Sequence, residues 1–122
     1  MSLDRDSVPG VAIAVVCGPL DLEDIRDATA EVWRRVSGPS ARILFDLREA
    51  RFDLAPDEIP DLAEFVKQGS PYEDLRTAFI VAQDLEFGLL RMFEAFREAQ
   101  GTRTAVFRNR EEALAWLTRE GD

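Results

Sequence analysis

The sequence predicts an α/β domain built on one mostly parallel mixed sheet of four to five strands, with four helices packed on it. Three observations carry this expectation. Four short apolar runs rich in branched and aromatic residues recur along the chain. Stretches with apolar residues at the 3.6-residue spacing of an amphipathic helix lie between them, and the two kinds of segment alternate to the end with little linker.

The strands are VAIAVV (11–16), RILFDL (42–47), TAFIVA (77–82) and TAVF (104–107). Ahead of them, Val8-Pro9-Gly10-Val11 turns a short polar edge strand at about residues 3–8 onto the first strong strand, which makes the sheet mixed. The first helix spans about Leu22 to Val36, with Asp21 as N-cap; Leu22, Ile25, Thr29, Val32, Trp33 and Val36 share one stripe. Ser37-Gly38-Pro39 ends it. The second starts near Pro56, which a first turn accepts, and presents Ile59, Leu62, Ala63 and Val66 before Gln68-Gly69-Ser70-Pro71 stops it. The third covers 85–100, with Asp84 as cap and Gly101 as stop. The fourth opens with the capping-box spacing Asn109-Arg110-Glu111-Glu112 and buries Ala113, Leu114 and Leu117, with Trp116 alongside.

Composition narrows the chemistry. A chain of 122 residues with 46% apolar and 32% charged content is expected to fold as one domain, 1–122, without staples. No apolar run approaches the roughly 18 residues of a membrane span, and MSLDRDSVPG lacks the basic and apolar regions of a secretory signal, so the cytoplasm is the expected compartment. Histidine is absent, which removes triads, imidazole acid/base work and nearly every zinc arrangement. Cys17 stands alone in an apolar run and reads as a buried thiol. The net charge of −9, with Lys67 the one lysine, opposes binding to nucleic acid.

Ligands of parallel α/β sheets sit beyond the carboxyl ends of the strands. Here that edge carries carboxylates, among them Asp21, Asp46, Asp57, Asp84 and Glu112, whose ordinary role is to cap helices and complement their dipoles. Occupied caps ringed by negative charge disfavour nucleotides, and neither phosphate-loop pattern occurs. No cofactor, metal ligand or catalytic residue is assigned. The enzyme reading that stays open is a magnesium site at Asp46 with Asp21 or Asp84.

GPLDLEDI (18–25), ILFDLREARF (43–52) and FRNREEALAWL (107–117) together resemble the SpoIIAA-like branch of the STAS superfamily, the anti-sigma-factor-antagonist fold, over about residues 10–119. The resemblance implies a compact mixed sheet with packed helices and a role in protein–protein regulation or ligand sensing rather than catalysis. Some relatives are likened to lipid-carrying domains of the SEC14 type. Signalling members place a phosphorylatable serine at the helix start that Leu54-Ala55-Pro56-Asp57 matches here; this chain has no hydroxyl there, and Asp57 supplies a fixed charge.

The stretch LEFGLLRMFEAFR (85–97) holds more apolar residues than one face can hide. At 100° per residue Leu85, Leu89, Met92, Phe93 and Phe96 form the expected core stripe, and Phe87 and Leu90 fall outside it. With Phe65 of the preceding helix, Phe87 and Leu90 make an apolar patch rimmed by Arg91, Glu94 and Arg97, the anatomy of an interface. The leading expectation is therefore a non-enzymatic module that binds a protein partner, including a second copy of itself, through the face of helices 56–68 and 85–100. The alternative is a carrier or sensor of a lipid or other apolar molecule, with Phe79, Phe87, Phe93 and Phe96 lining its pocket.

Overall fold

The first apolar run forms the second strand of a five-stranded sheet in the computed structural model, which describes residues 1–5 and 7–119. Strand β1 (Ser2–Asp4) pairs antiparallel with β2 (Ala12–Val15), Leu3 opposite Ala14. Strands β4 (Ser40–Asp46), β6 (Asp74–Ile80) and β7 (Arg103–Phe107) continue in parallel, in the order β1-β2-β4-β6-β7. Phe45 stands in register with Phe79, and Phe79 with Val106. The polar edge strand exists, three residues long, and the expected mixed sheet is the observed one.

Alternation along the central strands divides the core between two faces. Ala14, Ile43, Phe45, Phe79 and Val106 pack under α1 (Leu22–Arg35), α2 (Ile59–Gly69) and α3 (Asp84–Ala99). Ile13, Leu44, Ala78 and Ile80 face the other way and are covered by Ala113 and Leu117 of α4 (Arg110–Thr118). The caps form as the sequence predicts for α1 and α4. Asp21 accepts from the Asp24 backbone N–H while Asp24 returns a bond to the Asp21 N–H, and Asn109 accepts from the N–H of Glu112. On α3 the cap residue is Gln83, one position before the expected Asp84.

Two three-residue strands, β3 (Gly18–Leu20) and β5 (Ala50–Phe52), pair with each other in a second parallel sheet. They lie just past the carboxyl ends of β2 and β4, and Leu20 and Phe52 are buried. Each is too short to show a period, and Gly18, with φ near +88°, supplies the turn into β3 that a side chain would strain. The same turn leaves Cys17 exposed rather than buried, because the chain leaves the large sheet at that residue.

The outer helices meet through aromatic contacts. Trp33 of α1 stacks on Phe65 of α2 with ring centroids 5.7 Å apart, and the Arg26 guanidinium sits 5.6 Å from the Phe65 centroid. A β-carbon at Gly69 would fall 2.8 Å from the Trp33 ring, so the close approach of the two helices requires glycine there. Tyr72 donates its hydroxyl to the Val36 carbonyl at 2.6 Å and fastens the end of α1; burial raises its pKa.

Candidate functional site

The helix that carries the sequence-predicted interface is turned about its axis relative to expectation. Glu86, Leu89, Leu90, Phe93 and Arg97 are buried on α3, whereas Leu85, Met92 and Phe96 are 60%, 39% and 40% exposed. The core face is thus rotated by roughly 70° from the purely apolar stripe, at 100° per residue. The reason lies in two polar residues that face inward. A Glu86 carboxylate oxygen accepts the backbone N–H of Phe52 at 3.2 Å and joins α3 to the small sheet. Arg97, only 3% exposed, donates to the Gln100 side-chain carbonyl at 2.7 Å.

This rotation dissolves the predicted patch. Leu90 is 3% exposed and belongs to the core. Phe87 is half-buried beneath the Arg108 guanidinium, 4.4 Å from the ring centroid, and Arg108 is itself held by Asp84 at 2.8 Å. Phe65 is half-buried against Trp33. Arg91 is exposed and lies 3.4 Å from Glu94, which lines a shallow groove beside β7 with Thr104 and Trp116. Arg97 is buried and cannot serve as rim. Of the four phenylalanines expected to line a pocket, Phe79 and Phe93 do so, Phe87 packs at the margin of the core and Phe96 points to the outside.

In place of that patch, α3 presents a continuous exposed stripe of Leu85, Gly88, Met92, Ala95, Phe96 and Ala99. Beneath the helical layer lies a cavity of about 60 Å³ whose walls come from α1, α2, α3 and the sheet. Its lining is apolar apart from Thr29, Thr77, Thr104 and Arg97. Among the described residues no carboxylate pairs with Arg97, and burial pulls its guanidinium below the usual arginine pKa.

The three carboxylates of the expected magnesium site each have partners within the protein. Arg48 grips both oxygens of Asp46, at 2.9 and 2.6 Å, and this bond holds the carboxyl below its usual range. Asp21 accepts the cap bond from the Asp24 N–H, and the exposed Asp84 accepts from Arg108. Among the described residues no group of three or more carboxylates or thiols gathers as metal ligands. Asp57 is exposed in a single 3₁₀ turn, 56–58, just before α2.

No protein-family model matches the chain, and no curated protein matches it. Among solved structures, it is similar to an uncharacterised protein of the DUF3478 family from Shewanella loihica PV-4, described as having a SpoIIAA-like fold. The two share 23% identity with a TM-score of 0.56, over 95% of this chain and 90% of that one. The fold is SpoIIAA-like. At that identity the likeness is one of architecture. No helix among the described residues is long and apolar enough to cross a membrane.

Proposed function

We propose that this SpoIIAA-like domain is a non-enzymatic interaction module that pairs with a second copy of itself through the outer stripe of α3. The observation that carries the reading is the exposure of Leu85, Met92 and Phe96 on one helix whose buried face is already complete. Leu85, Met92 and Ala99 are seven residues apart, as are Gly88 and Ala95, which gives a three-four spacing of large and small residues. Two such helices laid antiparallel about a two-fold axis set Met92 of each copy against Ala95 of the other, and Gly88 against Ala99. In that register Arg91 of one copy comes beside Glu98 of the other, twice, which complements the seam with opposite charge.

A standard interface takes roughly 800 Å² from each partner, and a contact made through one helix is expected to be weak and concentration-dependent. A charge exchange tests the register. Arg91→Glu is expected to weaken pairing about tenfold in sedimentation equilibrium, and Arg91→Glu with Glu98→Arg to restore it. If the single and double variants associate equally well, the antiparallel register is wrong.

A further inference from the structure

Strand β7 ends the large sheet, and among the described residues no strand pairs with its outer side. The Phe107 carbonyl accepts the Val81 N–H at 3.1 Å, so Phe107 turns its backbone towards β6. By alternation Ala105 and Arg103 do the same, and Thr104 and Val106 turn their N–H and C=O groups outward. Side chains alternate as well. Val106 packs under α1–α3, on the face where Glu94 and Glu98 of α3 border the edge. Phe107 lies on the other face, its ring 6.0 Å from Trp116 of α4, and there Arg76, Arg103 and Arg119 form a basic wall. Arg76 donates to the Arg119 carbonyl at 2.7 Å, which fixes that wall against the end of α4. On the acidic wall, Arg91 stands 3.4 Å from Oε1 of Glu94, while Oε2 is shielded from water and has no hydrogen-bond partner among the described residues.

We propose that the edge of β7 takes an extended peptide segment of another protein as an added strand, with basic side chains turned to α3 and acidic side chains turned to α4. A strand laid along Thr104 and Val106 pairs its backbone with their outward groups, and its side chains alternate between the two faces with the period of β7 itself. Residues on one face therefore meet Glu94 and Glu98, and the residues between them meet the field of the three arginines. A lysine or arginine on the α3 side brings a charged donor to a carboxylate that is one donor short. A segment of one sign throughout is opposed by one wall or the other, so the charge pattern selects a partner that alternates. The proposal does not rest on self-association, because Glu94 stands about 160° around α3 from Met92 at 100° per residue.

The test titrates the intact protein, by calorimetry at low salt, with an acetylated octapeptide of lysine and glutamate in strict alternation and with its isomer in which all the lysines precede all the glutamates. The alternating peptide is expected to bind about tenfold more tightly, with an affinity that falls as salt is added. Glu94→Gln should narrow that preference. Thr104→Pro removes an N–H that the pairing with β6 does not use and sets a ring on the outer side, a place where sheets accept proline; affinity for the alternating peptide should fall about tenfold in a folded protein. Hydrogen exchange of the wild type keeps the test decisive if that variant does not fold, because saturation with the alternating peptide should protect the Thr104 and Val106 amides. Equal affinity for the two isomers, or a bound peptide that leaves both amides exchanging as fast as in the free protein, overturns the proposal.

Discussion

At Gly69 the fold depends on a missing atom. Alanine there would press its β-carbon against the Trp33 ring at 2.8 Å, and neither the indole nor the helix can yield freely while Trp33 is stacked on Phe65. Gly69→Ala is expected to lower stability by about 1–3 kcal/mol in denaturant unfolding, although alanine is the better helix former. A variant as stable as the wild type would show that α1 moves away without cost. The Asp46–Arg48 pair makes a second prediction at this scale. The hydrogen bond from Arg48 holds the Asp46 carboxyl below its ordinary pKa, so its contribution is complete at neutral pH and fades as the pH falls through the lowered folded-state pKa. Arg48→Leu should therefore destabilise slightly at pH 7, by under about 1 kcal/mol because Arg48 is half exposed, and the difference should shrink as the pH is lowered into the acid range. A loss that does not shrink at all on acidification would mean that Arg48 acts by packing.

At the scale of elements, α3 shows what periodicity can and cannot read. The four helices, the parallel strands and the edge strand were legible because burial of apolar side chains dictates their spacing. The orientation of α3 was not, since its inward face includes Glu86 and Arg97, and an apolar count assigns such residues to solvent. The decisive partner of Glu86 is a backbone N–H of β5, a strand too short to leave a pattern. For that reason the predicted trio of Phe65, Phe87 and Leu90 gave way to Leu85, Met92 and Phe96, and the cavity arginine went unrecognised among the rim charges. The bond also makes a prediction: Glu86→Leu removes the acceptor and leaves the Phe52 N–H buried and unpaired, at a cost of about 1–3 kcal/mol. Hydrogen exchange at Phe52 should accelerate more than at the β4 and β6 amides. Uniform acceleration would instead mark a global loss of stability.

At the scale of the molecule, the SpoIIAA-like frame assigns different tasks to its surfaces. The β3–β5 pair and the paired carboxylates occupy the strand-end edge where ligands of α/β sheets usually bind. Helix α4 seals one sheet face with Ala113 and Leu117. Layer α1–α3 covers the other face around the Arg97 cavity, and the outer stripe of α3 remains as apolar surface facing solvent. In the proposed self-association these exposed apolar residues, with small residues between them, are the seam that meets the second helix.

The measurement that bears most directly on this account is the molar mass in solution by light scattering, from about 5 to 500 µM, for the wild type and for Met92→Glu. The account predicts that the wild-type mass climbs from the 13.8 kDa monomer towards twice that value, while the folded variant stays at the monomer mass throughout. A wild-type chain that remains monomeric at the highest concentration, or a Met92→Glu chain that dimerises as readily, would contradict it.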